Sequence, residues 1–149
     1  MASSAITLSK GITIQAGVIQ ALEDHCRQQI PKEGCGILAG SGEEISRFFP
    51  IPNQDDSTRS FSFEPRAYLE TLKDIRRQDL EWLGILHSHP HTDPYPSLRD
   101  VNQWYYPELL SWILSFKGHQ PRLSAYFIRD RQITPVIYRV VPNRSINRS

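Results

Sequence analysis

The amino-acid sequence predicts an α/β fold, a sandwich in which a mixed β-sheet is flanked by helices. Two observations predict it: short apolar runs typical of buried strands, and segments whose apolar residues recur every three or four positions. The two kinds of segment are interleaved along the chain, which favours one sheet covered by helices. The 149 residues match one domain, which we expect to span residues 1–141, followed by a disordered polar tail at 142–149.

The first half of the chain predicts three strands and two helices. In the first helix Leu22 and Cys26 recur at helical spacing, and Pro31 ends it. Glycines mark a turn at 40–42 between two strands, and Pro65 suits the first turn of the second helix. The expected elements are a strand near 12–14, a helix to Gln29, strands at 34–39 and 44–51, and a helix from Pro65.

The second half predicts four strands around one short helix. An apolar strand at 83–87 leads into a polar, proline-rich loop. A short helix is expected to open at 96–97, and its apolar residues at helical spacing are Leu98, Val101 and Tyr105. The remaining strands are expected at 111–116, 123–129 and 134–141, with a turn at 130–131 between the last two.

Composition and charge narrow the classes of function. The formal net charge is +1 at pH 7, so the chain lacks the basic field typical of nucleic-acid binding. No apolar run reaches the ~20 residues that span a bilayer, and the first residues lack the basic and apolar regions of a secretory signal. We therefore expect a cytoplasmic protein with neither a membrane nor a nucleic-acid partner.

The two cysteines, Cys26 and Cys35, form no Cys-x-x-Cys pair and are too few for a disulfide framework. Cys26 falls on the apolar stripe of the first helix, and Cys35 falls in an apolar strand. We expect both to be small buried hydrophobic residues rather than catalytic thiols.

The polar segment after the strand at 83–87 carries the residues that indicate a metal centre. His87 and His89 lie two residues apart at the strand end, and side chains of a strand repeat their direction every two residues. The loop at 90–96 turns the chain back, so that Asp100 can join them from the first turn of the next helix. Two imidazoles and a carboxylate, with water, are a ligand set of catalytic zinc. These three residues predict a zinc site.

Glu33 is the candidate general base. Zinc lowers the pKa of water that it binds from ~15.7 toward ~7, but a base must still take the proton and return it to the leaving amine. Glu33 lies beside Gly34 at the mouth of a buried strand, where neighbouring side chains leave its carboxylate accessible. Taken alone, Glu33 is equally compatible with an exposed loop acid.

Several of these residues have simpler explanations when each is taken singly. Ser97 followed three residues later by Asp100 is typical of a helix capping box. His91 extends the histidine pair to His-x-His-x-His, but Pro90 bends the chain away, so we interpret His91 as a loop histidine. The combination of two histidines, serine, aspartate and glutamate favours the metal site.

The motif His-Ser-His-Pro at 87–90, followed by Ser97-x-x-Asp100, resembles the signature of the JAMM (MPN-plus) zinc metalloproteases. Residues 31–38 resemble the Glu-containing first strand of that family, and the resemblance extends from about residue 12 to 140. It implies the JAMM/MPN fold, a cytidine-deaminase-like sandwich. The roles that it implies are zinc ligation by His87, His89 and Asp100, proton transfer by Glu33, and oxyanion stabilisation by Ser97.

The resemblance also implies a substrate class, an amide bond that follows the C-terminal tail of a ubiquitin-like protein. Members that act on polyubiquitin carry two large insertions, whereas the corresponding stretches at 53–60 and 101–110 are short here. This compact form resembles the stand-alone prokaryotic members. The expected partner is therefore a ubiquitin-like or sulfur-carrier protein with a Gly-Gly tail.

Two other functions stay open at this point. The fold also serves as a scaffold, so a non-catalytic binding module that recognises such tails is the alternative. A DNA-repair-associated branch carries a similar motif, but the near-neutral charge disfavours it. Aromatic residues bracket the motif and are interpreted as packing, with a groove for an extended tail as the alternative: Trp82, Trp104, Tyr105, Tyr106 and Trp112.

Overall fold

The computed structural model describes residues 11–144. Within that range the chain forms eight strands and three helices. The strands are β1 (Ile12–Gln15), β2 (Cys35–Ser41), β3 (Glu44–Ile51), β4 (Glu81–His89), β5 (Leu110–Ser115), β6 (Arg122–Arg129), β7 (Gln132–Val136) and β8 (Tyr138–Val141). The helices are α1 (Ala16–Gln29), α2 (Pro65–Arg77) and α3 (Leu98–Asn102).

The strands form one mixed sheet in the order β7-β6-β5-β4-β2-β3-β1-β8. Strand β4 pairs parallel to β5, and β1 pairs parallel to both β3 and β8, while the other neighbours are antiparallel. Because β7 and β8 follow one another in the chain yet lie at opposite ends of this order, the sheet curls until its edges approach. The predicted α/β sandwich with a mixed sheet is confirmed.

The prediction of a single strand at 134–141 is wrong. The segment pairs with β6 up to Val136 and with β1 from Tyr138, and Ile137 between them is 90% exposed. The ring of Tyr138 lies 4.8 Å from the ring of Trp112, and its hydroxyl donates to the carbonyl of Leu123 at 2.6 Å. Both strands are short and half-exposed, with burial patterns that carry no sign of the change of pairing partner.

Helix α1 covers one face of the sheet. Its buried residues are Val18, Leu22 and Cys26, at the predicted helical spacing. Alternate residues of the central strands meet them and complete the largest apolar cluster, including Leu38, Phe48, Leu86, Trp112 and Leu114. The two thiols are buried and free, as predicted for small hydrophobic residues.

Helices α2 and α3 lie on the opposite face. Helix α2 begins at Pro65 as predicted, and the carboxylate of Glu64 caps it by accepting the N–H groups of Arg66 and Ala67. Its Ile75 packs on the β2–β3 residues Ile37, Ala39, Phe49 and Ile51. Helix α3 packs beside β5 and β6, where Val101 and Trp104 contact Ile113, Tyr126 and Ile128.

Helix α3 is shorter than the sequence predicts. It ends at Asn102, and Tyr105, which was expected on its apolar stripe, is 77% exposed. Pro107 disfavours helical backbone at the residue before it, so the helix cannot continue through Tyr106. The indole N–H of Trp104 instead donates to the carbonyl of Tyr106 at 2.8 Å.

The predicted tail at 142–149 falls largely beyond the described chain, since residues 145–149 lie outside it. Asn143 accepts the N–H of Gly17 at 2.7 Å, and Arg144 donates to the carboxylate of Glu44 at 2.6 Å. None of the helices within residues 11–144 is long and apolar enough to cross a membrane.

Candidate metal centre

Strand β4 positions both histidines. It runs to His89, two residues beyond the predicted strand end, so His87 and His89 both lie within the strand and project from the same face. The strand is central in the sheet, paired with β2 on one side and β5 on the other. His87 is 1% exposed and His89 is 4% exposed, so both rings are held in protein rather than in solvent.

Asp100 joins the two histidines from helix α3. The Nε2 atoms of His87 and His89 lie 3.1 Å apart, and each lies 3.2 Å from Oδ2 of Asp100. Two donors of a tetrahedral zinc ion with bonds near 2.0–2.1 Å lie about 3.3 Å apart. These three side chains form a group of the size and composition that can hold a metal ion.

Asp100 is also the acid of the capping box that opens α3. Its Oδ2 accepts the N–H of Ser97 at 2.9 Å, and Oγ of Ser97 accepts the N–H of Asp100 at 3.1 Å. Burial alone raises the pKa of Asp100, but the neighbouring imidazoles of His87 and His89, together with the N–H of Ser97, hold that pKa well below its usual range. The carboxylate is therefore ionised and aimed at the histidines.

The loop after β4 orients His89. Its Nδ1 lies 2.8 Å from the carbonyl of Asp93. Because a carbonyl only accepts, Nδ1 carries a proton, and in the neutral imidazole the lone pair is then on Nε2. The strands alongside hold this loop: Ser115 donates to the carbonyl of Thr92 at 2.5 Å, Arg122 donates to the Asp93 carboxylate at 2.9 Å, and Tyr126 donates to the carbonyl of Pro94.

In the neutral tautomer with the proton on Nδ1, Nε2 of His89 and Oδ2 of Asp100 face one another with lone pairs. Nε2 of His89 has no proton to offer in this tautomer, and Oδ2 of Asp100 is an acceptor. Burial lowers the pKa of His89, but the nearby carboxylate of Asp100 and carbonyl of Asp93 outweigh burial and raise it. Both features favour a positive charge at this point, which a metal cation supplies.

Glu33 approaches the same group from the loop before β2. It is 4% exposed, and its Oε1 has no hydrogen-bond partner within residues 11–144. Burial raises the pKa of Glu33 to about 7; His87 opposes the rise and Asp100 adds to it. The register that pairs Cys35 with His87 places Glu33 beside the histidines, so the exposed-loop interpretation of this residue is wrong.

Ser88 fastens the Glu33 segment to β4. It lies between the two histidines, so its side chain projects from the opposite face of the strand. Its Oγ accepts the N–H of Gly34 at 2.8 Å, and its own N–H donates to the carbonyl of Gly34 at 2.9 Å. Our interpretation of the sequence missed this residue. The strand period predicts that its side chain lies on the face opposite the histidines, but its pairing with Gly34 depends on the register of β2 with β4.

Two clefts open onto the metal-ligand group. The first, of about 490 Å³, is lined by His87 and Asp100 together with aromatic side chains from the 61–68 and 104–106 segments. Phe61 stacks on the imidazole of His87 with ring centroids 4.7 Å apart. The second, of about 400 Å³, is lined by Glu33, His89 and Ser97 and by the exposed His91. The groove that was the alternative interpretation of the aromatic residues is therefore present, and it is lined by Trp104, Tyr105 and Tyr106. Trp112 lies in the core instead.

Comparison with known families and proteins places the chain. A family model described as prokaryotic homologs of the JAB domain matches residues 15–129. The probable TtuB-protein conjugate cleaving protease of Thermus thermophilus is 34% identical over 100 residues, which cover 65% of this chain and 67% of that protein. The CysO-cysteine peptidase of Mycobacterium tuberculosis is 29% identical over 126 residues, which cover 83% and 86% of the two chains.

Solved structures show the same fold. The solution structure of a protein from Desulfitobacterium hafniense matches with a TM-score of 0.81 and 30% identity, over 88% of this chain and 93% of that one. A structure described as a JAMM metalloprotease-like zinc site of the proteasome and signalosome matches with a TM-score of 0.58 and 17% identity, over 89% and 99%. The predicted JAMM/MPN resemblance is confirmed: the chain belongs to the prokaryotic JAB domain family.

Proposed function

We propose that this protein is a zinc-dependent peptidase or isopeptidase that hydrolyses an amide bond at the C-terminal tail of a ubiquitin-like or sulfur-carrier protein. One observation carries the proposal: the buried carboxylate of Glu33, whose Oε1 has no hydrogen-bond partner within residues 11–144, lies beside three convergent candidate metal ligands. A structural metal site needs no such carboxylate, whereas hydrolysis needs a group that moves a proton.

The residues present fit zinc. Two imidazoles and one carboxylate match a catalytic ligand set that leaves one coordination position open. The donor separations of 3.1–3.2 Å agree with the tetrahedral value of about 3.3 Å. When bound there, zinc polarises a carbonyl and acidifies water at neutral pH.

The chain itself supplies the proton transfers. Water adds its oxygen to the scissile carbonyl carbon, Glu33 takes the proton of that water, and the same carboxyl returns the proton to the nitrogen when the C–N bond breaks. One water is consumed, and the products are a carboxylate and an amine. Burial raises the pKa of Glu33, and a raised pKa favours a carboxylate that accepts and then releases a proton near neutral pH. Ser97 accepts a bond from Asp100, so its own hydroxyl proton is available to the oxyanion.

The clefts and the relatives support the substrate class. The named relatives include a protease that cleaves TtuB-protein conjugates and a peptidase for CysO-cysteine. The aromatic cleft beside His87 has a volume of about 490 Å³, within the range of ligand-binding clefts. A tail that ends in Gly-Gly brings no side chain against the Phe61 ring that stacks on His87. We therefore assign the acyl side of the substrate to a Gly-Gly tail.

Zinc quantification and a cleavage assay test the proposal together. The zinc-loaded protein is incubated with a Gly-Gly carrier fused to a short peptide, and the products are identified by mass spectrometry. Glu33→Gln should keep bound zinc but lose about 10²-fold or more in rate, whereas His87→Ala should lose zinc. Glu70→Gln is the matched control, because Glu70 is exposed on α2.

Two outcomes overturn the proposal. Cleavage that continues at the same rate in Glu33→Gln contradicts the role of the carboxylate. A folded protein that takes up no zinc and cleaves nothing, yet binds the carrier, is a binding module rather than an enzyme.

A further inference from the structure

The loop at residues 54–62 contributes to the walls of both clefts. Its Phe61 lines the aromatic cleft, and its Arg59 lines the second cleft. The loop leaves and re-enters the fold at one point, where Asn53 and Phe63 form an isolated β-bridge. A residue that fixes this loop therefore fixes part of both clefts.

The side-chain amide of Asn53 is bonded on both of its sides. Its Nδ2 donates to the carbonyls of Glu33 and Ser60 at 3.0 and 3.1 Å. Its Oδ1 accepts the N–H groups of Asp55 and Ser62 at 2.9 and 3.1 Å. An amide offers two N–H donors and an oxygen with two lone pairs, so these four bonds use its full capacity. Three of the four partners lie in the loop, and the fourth is the main chain of the proposed base.

The peptide group between Glu33 and Gly34 is held from two sides. Asn53 donates to its carbonyl at 3.0 Å, and its N–H donates to Oγ of Ser88 at 2.8 Å. Because a trans peptide group is planar, with its C=O and N–H pointing in opposite directions, these two bonds fix its rotation and with it the direction of the Glu33 side chain. Oε1 of Glu33 has no hydrogen-bond partner within residues 11–144, so the position of that atom depends on the main chain.

We propose that Asn53 is a positioning residue for the base: its amide holds the main chain of Glu33 and the cleft-lining loop as one unit. Asn53 itself lines neither of the two clefts, so it acts through Glu33 rather than on the substrate. Its loss should therefore reduce the turnover of bound substrate more than substrate binding. This inference rests on the hydrolase function proposed above.

Asn53→Asp separates the two donated bonds from the two accepted ones. The carboxylate keeps an acceptor for the N–H groups of the loop but has no N–H to donate to Glu33. In the zinc-loaded variant we expect kcat to fall about tenfold, KM to change by less than about twofold, and bound zinc to equal that of the wild-type protein. Asn53→Ala, which adds no charge and also releases the loop, should show the same fall in kcat together with a higher KM.

Asn143→Ala is the matched control. Its amide also bonds to main chain, the N–H of Gly17 at the start of α1, but far along the chain from the metal ligands. The loss of that bond should lower Tm while kcat and KM stay at their wild-type values, so it separates lost stability from lost positioning.

Two further measurements isolate the contact with Glu33. In amide hydrogen exchange, which needs no turnover, the N–H of Gly34 should exchange about tenfold faster in Asn53→Asp than in the wild-type protein, because its peptide group has lost one of its two anchors. Asn143→Ala should leave that exchange unchanged. When Asn53→Asp is added to Glu33→Gln, the rate should fall no further, since no base remains to be positioned.

The outcomes separate the two proposals. A wild-type kcat in Asn53→Asp, a further loss of rate when it is combined with Glu33→Gln, or an Asn53→Asp protein that fails to fold and bind zinc overturns the positioning role, while cleavage by the wild-type protein leaves the hydrolase function standing. Failure of the zinc-loaded wild-type protein to cleave the carrier fusion overturns the proposed function itself, and the exchange of the Gly34 N–H then still reports whether Asn53 holds this main chain.

Discussion

Removing the hydroxyl of Ser88 tests whether this residue holds the proposed catalytic carboxylate, Glu33, in register with the proposed metal ligands. Ser88 is 0% exposed, and its Oγ is the acceptor for the N–H of Gly34 at 2.8 Å. In Ser88→Ala this N–H loses its partner in a site without solvent. The residue next to Gly34 is Glu33, so the change reaches the proposed base without touching either histidine.

The expected loss of stability follows from the burial of the Gly34 N–H group. A buried donor left without its acceptor costs about 1–3 kcal/mol, so we expect the free energy of unfolding to fall by about 2 kcal/mol. For a domain of this size that lowers Tm by about 4–8 °C. Because a displacement of a catalytic group by a fraction of an ångström reduces rate steeply, the cleavage rate of the folded, zinc-loaded variant should fall about tenfold. Zinc affinity should change little, since the ligand side chains are untouched.

Ser111→Ala is the matched control. Ser111 is also 0% exposed, but its Oγ has no hydrogen-bond partner within residues 11–144. Loss of that hydroxyl should change the free energy of unfolding by less than about 0.5 kcal/mol, since no bond is broken. Urea unfolding and the cleavage assay are run on both variants. If Ser88→Ala is destabilised yet cleaves at the wild-type rate, Ser88 contributes to folding alone and the positioning role is wrong.

Three further changes test other parts of the structure. Tyr126→Phe removes the hydroxyl that donates to the carbonyl of Pro94, and so loosens the loop that orients His89. Zinc affinity, measured by competition with a chromophoric chelator, should fall about tenfold. An unchanged affinity would contradict the proposed role of this loop. Gly36→Ala places a Cβ 2.4 Å from the carbonyl oxygen of Phe49, so unfolding in urea should show a loss of about 1–3 kcal/mol. Glu44 has its pKa lowered from 4.5 to about 2, chiefly by hydrogen bonding to an arginine. The stability that this pair adds is present above pH 4.5 and is lost as pH falls toward 2, so Glu44→Gln should show a shallower loss of Tm over that range than the wild-type protein.

The sequence predicts most of the fold because its burial pattern is regular. Helix α1 buries Leu22 and Cys26 on one stripe as the spacing requires, and the central strands β2 and β4 are nearly continuous apolar runs. Such patterns report which face of an element is buried, and therefore its type. They do not report its partner, which is why the separation of β7 from β8 at Ile137 was not predicted.

In the metal-ligand group, too, the local sequence pattern predicts some positions and not others. The strand period brings His87 and His89 to one face from sequence alone, and the structure places them with Asp100 as that period requires. The placement of Glu33 depends on the antiparallel register of β2 with β4, a contact across 54 residues between Gly34 and Ser88. No local pattern encodes that register, so the sequence supported Glu33 mainly through resemblance to a family.

The helix cap and the metal ligand, which the sequence presented as competing explanations for Asp100, are one structure. Its Oδ2 accepts the N–H of Ser97 and faces both histidine Nε2 atoms. Helix α3 has five residues, too few to be stable by its own hydrogen bonds, so the capping box is what sets the direction of the carboxylate. A cation bound to that carboxylate would therefore stabilise the first turn of α3. The capping box in turn holds the carboxylate in the orientation for binding when no cation is bound. Ser97→Ala should accordingly weaken zinc binding as well as the helix, even though Ser97 is not itself a ligand. Measuring the Tm of the variant and of the wild-type protein at increasing zinc concentration reports both effects.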